Sequence, residues 1–247
     1  VKTEKPDDNH GEYLTDHLPS ALEPDAEQTS FFLRKLMREA GAELEAAEGN
    51  RKRAAEGKPM ANGVWPWSGG RSGSLKKLKD RYGITGAVIS AVDVIVGLGR
   101  CLGMNVIKVP GATGYIDTNY EGKADAAIDA LRTHDFVYLH LEAIDEVSHE
   151  QNLQKKIRAI EDFDSRVISR VLSAFGPDLN AVVLPDHPVP LAIGKHTRVP
   201  VPVAARIRGM KPDSVQTYDE IACKQGSLGN MTNGDLMNLL FGQTRLD

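Results

Sequence analysis

The sequence predicts an α/β fold, and three observations carry that expectation. From about Lys79 onward, short apolar runs alternate with stretches of helical spacing, the grammar of a mostly parallel sheet with helices on both faces. The apolar runs at 87–91, 105–109, 136–141 and 181–184 have the length of strands and the composition of strands buried on both faces. A chain of 247 residues can bury such a core, as one large domain or two modest ones.

Along the chain, the first 24 residues are polar and broken by proline, and 12–18 is their only plausible strand. Asp25 is placed to cap a helix whose apolar positions Phe32, Leu33, Leu36, Met37 and Ala40 share one face, and Gly41 is expected to close it. Residues 41–58 continue as a polar segment in which Arg51, Lys52 and Arg53 form a solvated helix face. Both tryptophans, Trp65 and Trp67, fall on an expected strand at 61–67, before a Gly and Ser run at 68–74 that reads as a loop or hinge. Beyond it, 124–132 and 153–175 carry helical spacing between the strands. Prolines 188, 190, 200 and 202 limit 199–207 to a late or edge strand.

Composition excludes several function classes. The 30 basic and 34 acidic residues are interspersed, for a net charge of −4, so no electropositive footprint for nucleic acid stands out. Cys101 and Cys223 are alone and far apart, which rules out a disulfide framework or a cysteine-rich zinc module and fits a reducing compartment, the cytoplasm by default. No run approaches the roughly 18 apolar residues of a membrane span. The start at Val1 has neither an initiator Met nor a signal peptide's apolar centre, and the expectation is a piece of a longer polypeptide.

Most candidate chemistry reduces to structure. Gly97, Gly99 and Gly103 superficially suggest a dinucleotide-binding turn, but a strand follows them at once where that motif needs a helix, so they are read as glycines for tight helix packing. Ser90 lacks the flanking glycines of a nucleophile elbow, and no nearby His is implied. His17, His134 and His140 are single histidines without a ligand partner at useful spacing.

One constellation differs. Asp145 and His149 stand four apart just after the run at 136–141, so a turn of helix brings them together. Asp186 and His187 follow the run at 181–184, and His196 lies ten residues past Asp186 in a proline-stiffened loop. Open parallel sheets bind ligands at the carboxyl ends of their strands. Each residue has an ordinary alternative, with Asp145 capping a helix and Asp186 in a turn. Two Asp and three His arriving together at that edge point to a metal centre.

At these residues the sequence resembles the alkaline phosphatase superfamily and, within it, the archaeal-type cofactor-independent phosphoglycerate mutases. The resemblance spans nearly the whole chain. It is carried by residues 58–67, 86–93, Val109-Pro110-Gly111-Ala112-Thr113-Gly114, 117–124, Asp145 to His149, Leu184-Pro185-Asp186-His187-Pro188, and His196-Thr197 with Pro200-Val201-Pro202. It implies a core with a cap domain inserted into it and a site between the two. Residues 1–78 would be the C-terminal part of an α/β cap, and 79–247 an incomplete metal-binding core.

The resemblance also implies roles. Asp145, His149 and His196 look like the ligands of one ion, and Asp186 and His187 like part of a second ion's set. Two divalent ions, Mn, Zn, Co or Mg, would serve 3-phosphoglycerate and 2-phosphoglycerate interconversion through a phosphoserine, without 2,3-bisphosphoglycerate. The nucleophilic Ser and one further Asp ligand belong to an N-terminal segment that nothing here matches, so that segment is the expected partner and this chain alone is expected to be inactive. Asn62, Trp67, Arg71 and Lys123 are the weaker candidates for contacts with a small phosphorylated metabolite. The alternatives are a metal-dependent phosphatase or phosphotransferase of the same superfamily, or a non-catalytic metal-binding fragment.

Overall fold

A computed structural model describes residues 1–9, 11–70, 73, 75–232 and 234–241. The chain divides into two compact units, Val1–Gly73 and Ser74–Asp247.

In the first unit, α1 (Glu27–Ala46) is followed by α2 (Glu48–Ala55). Asp25 does not cap α1: it sits in a 3-10 turn, Pro24–Ala26, and the helix begins after Ala26 without a side-chain cap. Gly41 does not close the helix either. A Cβ there would stand 3.0 Å from the carbonyl oxygen of Asn62, so the glycine serves a close backbone approach and the helix runs on to Ala46. The expected strand at 12–18 is instead a 3-10 helix, Leu14–His17. His17 explains it: its Nδ1 meets Glu4 Oε2 at 2.6 Å and its Nε2 meets Glu12 Oε2 at 2.7 Å, while its ring stacks on Trp65. Residues 61–67 form no strand. Asn50, buried, holds them through Ala61, and Trp65 Nε1 donates to the carbonyl of Glu4 at 2.9 Å.

The second unit opens with α3 (Leu78–Tyr82), ended by Gly83 at φ 73°. Then come β1 (Gly86–Ile89), α4 (Asp93–Cys101), β2 (Asn105–Ile107), α5 (Tyr120–Leu131), β3 (Phe136–Leu139) and α6 (Ala143–His149). The strands form a parallel sheet in the order β2-β1-β3, with Ile89 opposite Leu139 and Ile107 at the carboxyl edge. Every residue of β1 is buried, as its central place requires. Gly99 lets α4 press onto β1, since a Cβ there would fall 2.5 Å from Val88 Cγ1. Gly97 faces open space and Gly103, at φ 73°, lies past the end of the helix against Lys77, so of the three glycines only Gly99 has the packing role expected of them.

Helix α5 is capped by Asn119, whose side chain accepts from the Gly122 amide, and buries Tyr120, Lys123, Ala124, Ala127 and Ala130 at three-and-four spacing. The expected helix at 153–175 is continuous through α7 (Leu153–Phe163), one π turn (Asp164–Ile168) and α8 (Ser169–Phe175). Arg166 grips Glu121 through two bonds of 2.6 and 2.8 Å, and Arg170 grips Asp125, which ties this long helix to α5. Tyr120, Ala124, Ala143 and Val167 form one core cluster, and Leu78, Val88 and Met104 another. The C-terminal α9 (Asp235–Phe241) adds Met237 and Phe241 to the second.

The run at 181–184 departs from expectation. It forms β4 (Ala181–Val183), half-buried and antiparallel to β5 (Ala204–Arg206), outside the parallel sheet. A short apolar run carries no information on strand direction, and here the proline-rich loop simply returns the chain alongside itself. Among the described residues, no helix is long and apolar enough to cross a membrane.

Candidate metal centre

The site begins at the end of β3. Glu142 starts α6, and one turn of that helix sets Asp145 and His149 on the same face, with Asp145 Oδ2 3.2 Å from His149 Nε2. The loop after β4 brings the other residues. The Thr197 amide donates to the Pro188 carbonyl at 3.0 Å, closing residues 188–197 into a ring that stacks the imidazoles of His187 and His196, centroids 3.8 Å apart. This loop is docked on the α6–α7 turn. Gln151, at φ 55°, donates to the Leu191 carbonyl, Lys156 to that of Val189, and His149 Nδ1 lies 2.8 Å from the carbonyl oxygen of Gly194. That carbonyl can only accept, so the Nδ1 proton is fixed there and the lone pair of His149 Nε2 turns toward the centre.

Asp145 Oδ1 lies 3.7 Å from His187 Nδ1 and 3.6 Å from His196 Nε2, and His149 Nε2 lies 3.0 Å from His196 Nε2. Asp145 Oδ1 and His187 Nδ1 are buried, and neither has a hydrogen-bond partner among the described residues. Leaving buried polar atoms unsatisfied costs stability, and two such atoms aimed at one point mark a place shaped for something else. Donors bound at about 2.0–2.2 Å around a tetrahedral ion stand about 3.4 Å apart, close to the spacings seen here. A mixed carboxylate and imidazole donor set is one that divalent metal ions take.

Of the sequence candidates, Asp145, His149, His187 and His196 therefore meet around one point. Asp186 is more exposed and stays beside His187, with Oδ2 3.2 Å from His187 Nε2. The expected division placed His187 with Asp186 in part of a second ion's set, and in the structure His187 faces Asp145 as well. Lys123 is almost wholly buried, with Nζ 3.4 Å from the His140 carbonyl and 3.5 Å from that of Thr113, and burial lowers its pKa. Asn62 and Trp67 are exposed in the first unit. Arg71 lies outside the described residues.

Sequence reasoning missed a second cluster at the same edge. Ser90 Oγ lies 3.0 Å from His140 Nδ1, and His140 Nε2 lies 3.2 Å from Glu142 Oε2. The signal was strand register: with Ile89 opposite Leu139, the next residues of both strands, Ser90 and His140, must be neighbours. Burial lowers the His140 pKa, and burial together with Asp145 raises that of Glu142.

The chain as a whole is similar to several known proteins. The chain is 45% identical over 239 residues to the 2,3-bisphosphoglycerate-independent phosphoglycerate mutase of Methanosarcina acetivorans, covering 95% of this chain and 59% of that protein. It is 43% identical over 227 residues to the probable enzyme of that name from Geobacter sulfurreducens, covering 90% of this chain and 55% of the relative. The chain thus spans less than two thirds of the length of these curated relatives. Its fold is similar to that of the PH0037 protein from Pyrococcus horikoshii, with a TM-score of 0.73 at 26% identity over 89% of this chain and 58% of that one. The cofactor-independent phosphoglycerate mutase of Thermoplasma acidophilum matches with a TM-score of 0.56 at 25% identity, over 90% of this chain and 54% of that one. A family model described as the Metalloenzyme superfamily matches residues 38–243. With most of its length inside that match and its carboxylate and imidazole donors gathered at one edge, the chain belongs to the Metalloenzyme superfamily.

Proposed function

We propose that this chain supplies the metal-binding part of a 2,3-bisphosphoglycerate-independent phosphoglycerate mutase, interconverting 3-phosphoglycerate and 2-phosphoglycerate in the cytoplasm. The observation that carries the reading is the pair of orphaned, buried atoms Asp145 Oδ1 and His187 Nδ1 facing His196, in a chain 45% identical to a mutase of that name. Asp145, His149 and His196 would hold one divalent ion, and Asp186 with His187 part of the set for a second. Divalent ions held by these residues would supply positive charge for a phosphate group and for the ionisation of a serine hydroxyl.

This chain's residues prepare the site for that chemistry. Gly194 sets the tautomer of His149 through its carbonyl, and the Pro188 to Thr197 closure holds His187 against His196. The nucleophilic Ser and one further Asp are proposed to come from a polypeptide segment outside these 247 residues. Residues 1–78 are proposed to form part of a lid that excludes water from the phosphoserine, with Asn62, Trp67 and Arg71 reaching the substrate's charged groups. Lys123, expected as a weaker substrate contact, is almost wholly buried with Nζ against the His140 and Thr113 carbonyls, which favours a structural role.

The test uses the longer polypeptide that includes the nucleophile. His196→Ala should lower mutase turnover by about 100-fold or more while the fold persists, and chelation should do the same. Undiminished turnover in metal-depleted buffer would overturn the reading. Phosphate release without isomerisation would favour a phosphatase of the same superfamily.

A further inference from the structure

The Ser90, His140 and Glu142 cluster is not used by the phosphotransfer reading, and its proton positions can be worked out. The Val92 amide donates to Ser90 Oγ at 3.0 Å, so the serine's own proton is free to point at His140 Nδ1, 3.0 Å away. Nδ1 is then the acceptor, and the Nε2 proton faces Glu142 Oε2 at 3.2 Å. The imidazole is held in this pose: the His140 amide donates to the Ile89 carbonyl at 2.9 Å, and its ring lies parallel to that of Tyr138. Ser90 is only half-buried, at the turn from the central strand β1 into α4. A hydroxyl, a neutral imidazole and a carboxylate joined in that order are the parts of an activated serine, which is recognised by geometry and roles and not by flanking sequence.

We propose that Ser90 is a nucleophile in its own right, with His140 as its base and Glu142 as the positioning residue that orients His140, acting on uncharged carboxylic esters. The class follows from the surroundings. In the ion-free chain, Glu142 and Asp145 bring carboxylates within 4.8 Å of each other beside this cluster against the buried cation of Lys123, whose Nζ lies 3.4 Å from the His140 carbonyl, and such surroundings favour a neutral ester over a phosphate dianion. In the reaction, the Ser90 Oγ to acyl carbon bond forms as the ester's bond to its alcohol breaks. The Oγ proton passes to His140 Nδ1 and on to the departing alcohol oxygen, and water then releases the acid by the same route. Nothing in this step draws on the proposed ions or on the phosphotransfer reading.

The test uses the purified 247-residue chain with EDTA present, a neutral fluorophosphonate and p-nitrophenyl acetate as probes, and peptide mapping of the adducts. The expected result is an adduct on Ser90 in the folded protein and none in urea, with the rate of acylation falling about 100-fold or more in His140→Gln. Glu142→Gln, which keeps an acceptor toward Nε2, should slow it about 10-fold or more and serves alone if His140→Gln does not fold. No adduct on Ser90, or an equal rate in the variants and the unfolded chain, would overturn the proposal. Persistence of the adduct with EDTA separates it from any failure of the mutase reading.

Discussion

Asp145 Oδ1 and His187 Nδ1 lie 3.7 Å apart, both buried and both without a hydrogen-bond partner among the described residues. The two side chains come from elements 42 positions apart in sequence, yet the carboxyl edge of β3 and the closed loop after β4 deliver them to one point. If an ion satisfies them, removing one donor should be felt mainly in ion affinity. His187→Ala should weaken Mn or Zn binding by about 10-fold or more in a calorimetric titration, with thermal stability of the metal-free chain unchanged or slightly raised as the orphaned nitrogen is removed. A large loss of stability without metal would instead make His187 a packing residue.

The close contact of α4 with β1 predicts opposite outcomes at two glycines of one helix. Gly99→Ala would place a Cβ 2.5 Å from Val88 Cγ1 and should cost about 1–3 kcal/mol in denaturant unfolding. Gly97→Ala meets nothing within 4 Å and should be neutral or stabilising by up to about 1 kcal/mol.

The Arg166 guanidinium lowers the Glu121 pKa to about 2. A depressed folded-state value means that the stabilisation is complete above the unfolded carboxyl range near 4.5 and is lost as pH falls toward 2. Because both side chains are more than a third exposed, the pair should contribute no more than about 1 kcal/mol despite its two-bond geometry. Glu121→Gln should therefore lower the unfolding midpoint modestly at pH 7, and the difference from the parent chain should shrink below pH 3.

In the first unit, Glu4 and then Glu12 raise the His17 pKa above its ordinary 6.5. The sign is the reverse of the carboxylate case: the stabilisation is complete below 6.5 and is lost as pH rises through the folded value. NMR titration should find His17 titrating above 6.5 and Glu4→Gln bringing it down. A value below 6.5 in the parent chain would contradict the clasp.

The parallel sheet was legible because its strands are short, apolar and separated by helical spacing, and the centres of β1, β2 and β3 fall where those runs are. β4 was misread because direction and partner are set by where the next segment returns, which periodicity does not encode. The first unit was the least legible: Gly41 looks like a helix stop but marks a close approach to Asn62, and residues 61–67 look like a strand but are held by two hydrogen bonds between Asn50 and Ala61 and one from Trp65 to Glu4. At the site, the five Asp and His candidates were visible from their placement after strands. Ser90 and His140 were not, because each is unremarkable until strand register makes them neighbours.

The central claim is that Asp145 and the histidines around it form an ion site. Anomalous diffraction from crystals of the chain grown with Mn or Zn tests it most directly. The expected result is a peak within about 2.0–2.3 Å of Asp145 and His196 donor atoms, with His149 or His187 completing the shell. A well-ordered site with no anomalous density there at saturating metal, or with density only at other surface carboxylates, would contradict the claim.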